Sequence, residues 1–559
     1  MARSYDYVIL GGGTAGCALA SRLSARGRNA VLLVEAGPDT PPGQVPADIL
    51  DPYPTSYANP AYRWPLKGHA LTRDTSPANP LLHASVMGGG SSIMGMIMLR
   101  GTPEDYDGWA AGGAHGWGWD QVLPVFRALE NDLDFDGPLH GQDGPTEIRR
   151  HRRADWPPLT KAAAAYAERI GARFIADMNG DFADGYGALP IAGPIAHRTS
   201  SATAYLTAAV RARPNLTILA RARAQALVFD GAKAVGVRIS TPQGEETVAA
   251  GEVVLAMGAL LTPEFLQRQG LGDPDVLGRG GVAVRHALPG VGANLQNHAA
   301  LAVLAHLTPQ GLQRRPQRNH NNTMFRYSSG IEGCGRADMA LAVSSRASWH
   351  QIARRIANFS PLLMAPASRG RVSLPAPGQA GPLIEFNLLG DARDEARLAD
   401  GLVRLMALLT APELAPLIGR PVAASRLANA ARFNQRTAIN IMRTSVIAGL
   451  LDVVPGLGDW VVGAMGDPRH GLAELVADRD LMADYIRKNV TPIAHHSGTC
   501  KMGAPHDPTA VVDPGGRVMG VAGLRICDAS VMPTAPRANT NLPVLMIAEK
   551  MAADMLSAT

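Results

Sequence analysis

The sequence predicts an α/β fold, α+β in part, in which a mostly parallel sheet formed by both ends of the chain frames a different central region. Three observations support this prediction. The first 37 residues alternate between apolar strands and a helix around a glycine-rich turn. The last 60 residues return to a strand, a turn and a helix, whereas the region from about 301 to 490 mixes strands and helices without such turns.

The chain length of 559 residues exceeds what one hydrophobic core normally organises, so we expect two domains or one two-lobed unit. Hydrophobic residues make up 46% of the chain and charged residues 18%, which is not the composition of a disordered protein. The formal net charge is only +5, and the arginines are scattered rather than interleaved with aromatic residues. We therefore expect no nucleic-acid partner.

The four cysteines, Cys17, Cys334, Cys500 and Cys527, are far apart and form no C-x-x-C pair. This pattern shows no disulfide framework and predicts a reducing, cytoplasmic location. Met1 leads almost directly into an apolar strand, so no signal peptide is expected.

The sequence has no apolar run of about 18 residues that is free of charged residues, Pro and Gly, so we expect no transmembrane segment. The stretch from Val446 to Met465 is apolar but contains Asp452, Pro455 and Asp459. It predicts a buried pair of helices, a flexible apolar lid, or a patch that makes peripheral contact with a membrane surface. The sequence leaves these interpretations open.

The N-terminal segment reads as a βαβ unit. Tyr7 to Leu10 is an apolar strand, Ala15 to Arg26 has helical spacing, and Ala30 to Val34 is a second apolar strand that ends at Glu35. Such a unit places the turn after the first strand at the carboxyl edge of a parallel sheet, where ligands bind in α/β folds.

The turn from Gly11 to Gly16 has the spacing G-x-G-x-x-G. Gly11 permits the tight turn, Gly13 lets the backbone approach a pyrophosphate, and Gly16 lets the helix pack close to the strand. The helix N-terminus presents free N–H groups to phosphates, and the carboxylate of Glu35 suits ribose hydroxyls. In this context the motif predicts a dinucleotide cofactor, but it does not distinguish FAD from NAD.

Later segments suit the same cofactor. Met87 to Ser92 is a second glycine- and serine-rich turn that suits phosphate or ribityl oxygens. Near the C-terminus, a strand that starts at Leu524 ends at Asp528, and Asn539 to Pro543 leads into a final helix. The N-terminus of that helix would stabilise negative charge on a reduced flavin ring.

These motifs occur with further segments that are typical of one family: Gly101 to Tyr106, Gly116-Trp117, Pro289 to Gln296, His495 to Gly503, and Val511 to Lys550. On these residues the chain resembles the glucose–methanol–choline (GMC) oxidoreductases over essentially its whole length. It is most similar to the branch of bacterial aryl-alcohol and 5-(hydroxymethyl)furfural oxidases, through Leu139 to Gly141, Phe386 to Leu389 and Pro533 to Pro543.

The resemblance implies a Rossmann-like FAD-binding domain that is discontinuous in sequence, formed by residues 1–150, 205–300 and 490–559. It also implies a substrate-binding domain with an antiparallel sheet, formed by residues 151–204 and 301–489.

The cofactor implied by the resemblance is FAD, and no metal is expected. Ile93 stands where some relatives carry a flavin-linking histidine, so we expect FAD to be bound non-covalently. Met94 stands where many relatives have Asn. The expected FAD-binding residues are Gly11, Gly13, Thr14, Ala15, Gly16, Glu35, Ala36, Met87, Gly88, Gly89, Ser91, Met94, Gly95, Met96, Ala224, Ala256, Gly258, Asp528, Ala529, Asn539, Thr540 and Asn541.

The family pattern H-x-x-G-T-C-x-M-G assigns the catalytic base by its distance from Gly498, which makes it His495, while the adjacent His496 fills a place usually occupied by Pro. The resemblance implies that His495 accepts the alcohol proton, that Asn539 hydrogen-bonds the oxygen, and that hydride passes to flavin N5. The implied activity is oxidation of a primary, aromatic or heteroaromatic alcohol to the aldehyde, with oxygen or another acceptor taking the electrons.

Other activities stay open at this stage. GMC relatives also include hydroxynitrile lyases and photodecarboxylases, and an NAD-dependent dehydrogenase is disfavoured by the second glycine turn and Asp528.

Asn297 replaces the usual Asp beside His298. On the substrate side we expect residues 319–323, Arg326 and Arg537, because an arginine there would bind an acidic or phenolic group.

Overall fold

The computed structural model describes residues 3–313, 318–426, 432–454 and 456–557. Its first sheet has seven strands from distant parts of the chain, and the N-terminal strand lies at its centre, parallel to both neighbours. The strands in spatial order are Leu216–Ala220, Val31–Glu35, Ser4–Leu10, Gly244–Leu255, Lys233–Thr241 and Arg223–Asp230, and Leu524–Ile526 pairs in parallel with residues 253–255.

The predicted βαβ unit is confirmed, with the helix at Thr14–Leu23. This helix ends three residues earlier than its apolar spacing suggested, because the Ser24 hydroxyl donates to the Ala20 carbonyl (2.7 Å) and caps the last turn. The segment after Leu216 forms two strands, Leu216–Ala220 and Arg223–Asp230. Arg221, with φ of 56°, breaks the chain between them.

Both chain termini meet in this part of the fold. The helix Thr14–Leu23 is almost entirely buried and packs against the C-terminal helix Asn541–Ser557. Arg22 forms an ion pair with Glu549 (2.8 Å) across the two helices. The apolar strands beneath them bury Val8, Ile9 and their neighbours completely, so the N-terminal turn is held on a rigid base.

A second sheet of nine strands is mostly antiparallel, as the family resemblance implied. Its central strands pair in the order Val303–His306, Ile356–Leu363, Met339–Ser344 and Asn321–Tyr327. The remaining strands are Phe174–Ile175, Gly185–Ala188, Ala299–Ala300, Val422–Ala423 and Thr491–Pro492. Because each strand is pleated, every second side chain of a strand points to the same face of the sheet.

Short strands form three smaller sheets: Lys67–His69, Ala78–Pro80, Arg371–Ser373 and Leu383–Glu385; Glu130–Asp132, Thr146–Arg149 and Ile191–Ala192; and Leu271–Gly272 with His286–Ala287. The other described α-helices are Ala47–Leu50, Gly90–Ile93, Pro103–Ala111, Trp119–Leu129, Pro158–Arg169, Ser201–Tyr205, Ala208–Arg211, Gly258–Arg268, Pro274–Arg279, Ala392–Leu409, Ala438–Val453, Leu457–Gly463, Leu472–Ala477 and Arg479–Asn489.

The apolar stretch near residue 450 forms two helices, Ala438–Val453 and Leu457–Gly463. The interpretation as a buried pair holds only for one face, which buries Ala448, Leu451 and Val462. Large hydrophobic side chains are exposed on the rest: Ile439, Ile441, Met442, Val446, Leu450, Val453, Val454 and Trp460. Within the described ranges, no helix has the length and apolar character needed to cross a bilayer.

A buried network of ion pairs gives a structural role to the histidine of the Leu139 to Gly141 segment. His140 faces Glu130 (3.2 Å) and Asp132 (3.1 Å) with Nδ1 and Asp177 (2.8 Å) with Nε2. These three carboxylates also pair with Arg100 and Arg150. With both ring nitrogens facing carboxylates, burial is outweighed and the pKa of His140 rises to about 10.

Although Glu130, Asp132 and His140 also have the spacing of metal ligands, three cationic groups already balance the three carboxylates. We therefore assign the cluster to fold stability.

Replacement of His140 by Asn should destabilise the protein by about 3 kcal/mol near pH 6, because it leaves buried carboxylates without a counter-charge. The raised pKa of His140 contributes stability below its unfolded-state pKa of about 6.5, and this contribution is lost as the pH rises through about 10. Thermal unfolding at pH 6, 8 and 10 should therefore show a difference between wild type and His140→Asn that shrinks with pH. The exposed His115→Asn is the matched control, and an unchanging difference would contradict the assignment.

Candidate active site

A cavity of about 610 Å³ runs between the two large sheets. One end is lined by the N-terminal glycine turn and the end of the strand Val31–Glu35. The middle is lined by Gly89 to Met96 and by the start of the helix Gly258–Arg268, and the other end reaches His495, Asn539 and the antiparallel sheet. The residues that line the cavity come from both sheets, so the cavity can hold one ligand against each sheet.

The glycine turn forms a cradle that only glycines permit. A Cβ on Gly11, which has φ of 110°, would lie 2.4 Å from the Ala256 carbonyl oxygen, and a Cβ on Gly16 would lie 1.9 Å from that of Gly11. Gly13 is different: its nearest neighbours would be 3.9 Å from a Cβ, and it lines the cavity. The helix after it has no side-chain cap, so its N-terminal N–H groups are available to phosphate oxygens.

Carboxylates fix the loops around this cradle. Glu35 accepts hydrogen bonds from the backbone N–H groups of Gly12 (2.8 Å) and Gly37 (2.7 Å). Asp528 accepts from the Gly258 N–H (2.8 Å) and the Thr262 hydroxyl (2.6 Å), which ties the strand Leu524–Ile526 to the helix Gly258–Arg268. Burial raises the pKa of both carboxyls, and the bonds from N–H groups oppose this shift.

The structure brings nearly all of the sequence-predicted cofactor residues to the cavity wall. Three of them, Gly16, Met87 and Gly88, do not line it and instead support the turn. The Gly88 N–H donates to the Gly12 carbonyl (2.7 Å), and Met87 packs where a Cβ on Gly12 would lie. The lining residues from the prediction are Gly11, Gly13, Thr14, Ala15, Glu35, Ala36, Gly89, Ser91, Met94, Gly95, Met96, Ala224, Ala256, Gly258, Asp528, Ala529, Asn539, Thr540 and Asn541.

The predicted catalytic pair meets at the junction of the two sheets. The Asn539 side-chain amide lies 3.0 Å from His495 Nε2, and His298 Nδ1 lies 2.8 Å from His495 Nδ1. Since Asn539 donates to Nε2, this nitrogen carries a lone pair, and the proton of neutral His495 is on Nδ1, donated to His298. The Nε2 lone pair of His495 therefore accepts from Asn539, and a substrate hydroxyl that donates to Nε2 would take the place of this hydrogen bond.

Asn297 organises both adjacent histidines. Its side-chain oxygen accepts from the backbone N–H of His495 (3.1 Å), and its nitrogen contacts Nδ1 of His496 (2.8 Å). His496 stacks on Phe386, with ring centroids 5.2 Å apart. Ala494, directly before the pair, has φ of 61°, a left-handed conformation that L-residues rarely adopt and that aims His495 at the cavity.

Burial keeps these histidines neutral. It lowers the pKa of His495 to about 4 and lowers the pKa of His496 and His298 well below the usual range. Neighbouring histidines lower the last two further. Among the described residues no carboxylate is hydrogen-bonded or ion-paired with the three rings, and Asn297, which contacts His495 and His496, carries no charge.

Several lining residues were not found from the sequence. His83 lies in an irregular Pro-rich stretch, 6.3 Å from His496 between ring centroids, and no motif marks it. Leu362, in the strand Ile356–Leu363, and Met364, directly after it, line the substrate end. Their only signal is the two-residue alternation of that strand, which does not say what the face contacts.

The expectation for the substrate side is confirmed in part. His320 and Asn321 line the cavity. Arg326 and Arg537 do not: Arg326 is bound by the backbone carbonyls of residues 178, 181 and 183, and Arg537 is paired with Asp105. Both guanidiniums bind groups of the protein itself and lie away from the cavity wall, so the prediction that they bind substrate is wrong.

A dinucleotide cradle that opens onto a neutral histidine–asparagine pair defines an oxidoreductase with a bound dinucleotide cofactor. Comparisons with known proteins specify the class. The GMC oxidoreductase N-terminal family model matches residues 5–300, and the C-terminal one matches residues 366–548. The chain belongs to the GMC oxidoreductase family.

Individual relatives agree over the full length. The chain is 37% identical to a 5-(hydroxymethyl)furfural oxidase of Methylovorus sp. (strain MP688), covering 99% of each chain. It is 30% identical to an alcohol dehydrogenase [acceptor] of Pseudomonas putida, over 98% of this chain and 95% of the relative. The crystal structure of pyridoxine 4-oxidase from Mesorbium loti superposes with a TM-score of 0.80 at 27% identity, covering 99% of each chain.

The family implies FAD, and the residues present fit it. The glycine cradle, the uncapped helix and Glu35 suit the adenosine diphosphate part, and the second glycine turn leads from there to the histidine pair. The reaction class is FAD-dependent alcohol oxidation, in agreement with the names of the full-length relatives.

Replacement of Gly13 by Ala should leave the fold intact and strongly reduce the FAD content. The added Cβ meets no protein atom closer than 3.9 Å, but it projects into the space that a pyrophosphate needs. The ratio of flavin to protein absorbance should fall at least tenfold relative to wild type, while far-UV circular dichroism is unchanged. Gly278→Ala, where a Cβ also meets nothing within 4 Å, is the control and should retain FAD. Full FAD loading of Gly13→Ala would contradict the assignment.

Proposed function

We propose that the protein oxidises a primary, aromatic or heteroaromatic alcohol to the aldehyde, with His495 as the base. The observation that carries the proposal is the lone pair on His495 Nε2, held beside the Asn539 amide at the end of the FAD cradle. The adjoining wall is formed by Leu362, Met364 and Met324, which suit the flat apolar face of an aryl group.

The residues divide the work by position. Nε2 of His495 accepts the hydroxyl proton, and the Nδ1–H bond to His298 holds the ring in the required tautomer. The Asn539 amide donates to the alcohol oxygen and fixes the carbinol C–H direction. FAD, when bound, supplies the acceptor for the hydride that leaves this carbon. Thr540 and Asn541 place the N-terminus of the final helix at the same cavity, where its dipole favours negative charge.

Non-oxidative chemistry of the lyase or photodecarboxylase type is not favoured, because the proton acceptor and oxygen ligand of alcohol oxidation are both present. Oxygen or another acceptor takes up the electrons, and the relatives' names include both an oxidase and a dehydrogenase acting on an acceptor.

The residue boundaries given above for the two domains remain our proposal. A cytoplasmic location is supported by four cysteines that are buried and free.

FAD is proposed to bind non-covalently, since Ile93 offers no nucleophile where some relatives carry a flavin-linking histidine. Acid precipitation of the holoenzyme should leave the yellow colour in the supernatant, and a yellow pellet would overturn this point.

Anaerobic mixing with benzyl-type or furanic alcohols should bleach the oxidised-flavin absorbance of wild type. His495→Ala should retain FAD and be reduced about 100-fold or more slowly, the contribution typical of general base catalysis. Stopped-flow absorbance measures both rates, and the exposed His506→Ala is the control. Reduction of His495→Ala at the wild-type rate would exclude His495 as the base. Failure of every alcohol to reduce loaded wild type would favour the non-oxidative alternative.

The pH dependence should follow the pKa of His495 in the free enzyme. Only the neutral ring accepts a proton, so kcat/KM should rise with pH through about 4 and be constant above about pH 5.5. Asn297→Asp places a negative charge beside both histidines and should move this limb upward by about one pH unit or more. Asn79→Asp adds the same charge at an exposed, distant site and should not move it. A wild-type midpoint near 6.5 would show that burial does not set this pKa.

Peripheral contact with a membrane is proposed for the apolar helix Ala438–Val453 and Trp460. Its exposed apolar side chains are flanked by the exposed Arg436 and Arg443, which suit anionic lipid headgroups. Asn434, four residues before this helix, contacts Ser348, which is hydrogen-bonded to Tyr57 of the cavity wall, so the chain enters the helix from the cavity side.

Wild type should sediment with anionic vesicles, whereas most of the double variant Val446→Ser/Leu450→Ser should stay in the supernatant. Ile170→Ser/Val284→Ser, which alters exposed apolar residues elsewhere, is the control. Equal binding of all three proteins, or a dimer that the first double variant dissociates, would contradict the membrane contact.

A further inference from the structure

The substrate end of the cavity changes from apolar to polar along one strand. Leu362, Ser360 and Asn358 of the strand Ile356–Leu363 all line the cavity, as expected for alternate residues of one face. Leu362 is in register with Ala300, two residues after His298, and so lies at the histidine end. At about 3.3 Å per residue, Asn358 lies about 13 Å further along the strand.

The polar end has unused hydrogen-bonding capacity. Ser344 is in register with Asn358 on the neighbouring strand and is hydrogen-bonded to Asn321, and all three line the cavity. Asn358 donates weakly to Ser360 (3.3 Å), and its side-chain oxygen, or the nitrogen after an amide flip, has no partner. Polar groups in this state point to a ligand that completes them.

A buried guanidinium without a counter-ion stands behind this end. Arg346 is 6% exposed and lies over the ring of Tyr53 (5.1 Å), which in turn contacts His320 (4.9 Å between ring centroids). Tyr53 and His320 both line the cavity. Arg346 donates only a long bond to the Arg318 carbonyl (3.4 Å), and its Nε has no partner.

A second guanidinium lies close by. Arg198 is 2% exposed and donates to the carbonyls of Ile49, Ser91 and Met94, while its Nη2 has no partner. No carboxylate among the described residues forms an ion pair with Arg198 or Arg346, and the nearby Asp51 is taken by Arg318. The sequences of the intervening stretches 314–317 and 427–431 contain no Asp or Glu.

Both cations act on the same part of the cavity. Burial lowers the pKa of His320 to about 3, and the charges of Arg346 and Arg198 contribute to this shift, so the ring is neutral. The carboxylates that line the cavity, Glu35, Glu264 and Asp528, belong to the cofactor cradle and the helix Gly258–Arg268. Asp51 offsets part of the charge of both guanidiniums but is itself paired with Arg318, so the polar end keeps a net positive potential, which costs free energy in a buried site.

We propose that this end of the cavity binds a carboxylate of the substrate, so that the preferred alcohols carry a carboxylate opposite the hydroxymethyl group. The substrate carboxylate would accept hydrogen bonds from Ser360, Ser344 and Asn358 and would supply the counter-charge that Arg346 and Arg198 lack. The same potential disfavours cationic alcohols such as those with a quaternary ammonium group. The proposal rests on the proposed alcohol oxidation.

Anaerobic stopped-flow reduction of the holoenzyme by three benzyl alcohols with different para substituents tests it. We expect the apparent Kd of 4-(hydroxymethyl)benzoate to be at least tenfold lower than that of its N-methylamide, and that of the para-trimethylammonium compound to be the highest. The limiting reduction rates should be similar, since the reacting end is unchanged. Equal affinities or the reverse order would overturn the proposal.

Two variants locate the effect. Arg346→Gln should remove most of the advantage of the carboxylate and leave the amide unaffected, whereas Arg238→Gln, with a side chain 53% exposed on another sheet, should change neither. Asn358→Asp should weaken carboxylate binding and strengthen ammonium binding. An unchanged carboxylate preference in Arg346→Gln would overturn the proposal, and if neither cavity variant loads FAD, the wild-type order of affinities decides.

The unreactive 4-methylbenzoate separates this inference from the reaction. Its binding, followed by perturbation of the flavin spectrum, should be at least tenfold tighter than that of the corresponding N-methylamide. If no alcohol reduces the flavin but this preference is found, the proposed activity fails and the carboxylate site stands. If alcohols reduce the flavin without this preference, the carboxylate site fails and the activity stands.

Discussion

The rest of the site depends on one contact, in which the first glycine turn meets the last helix of the chain. The Thr14 hydroxyl donates to the Asn541 side chain (2.8 Å), and Arg22 and Glu549 pair on the next turns of the two helices. Gly16 lets the first of these helices lie close to its own turn, because a Cβ there would lie 1.9 Å from the Gly11 carbonyl oxygen. The contact brings the segment of residues 539–541 to a cradle built by residues 11–16. It acts together with the pairing of Leu524–Ile526 with residues 253–255 in holding the proposed catalytic pair beside the FAD site.

Burial is the second physical factor, and its effect on a histidine depends on whether carboxylates lie beside the ring. In the network around His140, carboxylates on both sides of the ring outweigh burial, and the imidazole is held as a cation. Around His495 no carboxylate of the described residues is in contact, and burial lowers the pKa of the ring so that it is neutral. The same residue type is therefore a structural ion in one place and, in the proposed mechanism, a proton acceptor in the other. The amide of Asn297 is central to this difference, since it provides hydrogen bonds without a charge.

The antiparallel sheet contributes shape and polarity rather than reacting groups. Its strands place alternate side chains on the cavity wall, so a single strand presents an apolar surface near His495 and hydrogen-bonding groups further away. Buried arginines behind the wall act through the low dielectric of the interior without touching the ligand. Substrate preference can thus change by substitutions that leave the cofactor cradle and the histidine pair untouched.

The sequence by itself determined the elements in which local geometry and residue type are tied together. The glycine turn and the βαβ unit are of this kind, because φ angles and close approach each admit few residue types. The proposed pair His495 and Asn539 was inferred from the resemblance to the GMC family. Tertiary structure decided the contacts between residues that are distant in sequence. It tied up Arg326 and Arg537 inside the protein, left Arg198 and Arg346 without an ion pair among the described residues, and exposed the apolar face of Ala438–Val453. An arginine looks the same in the sequence whether a carboxylate lies beside it or not, since its partners are set by packing between distant segments.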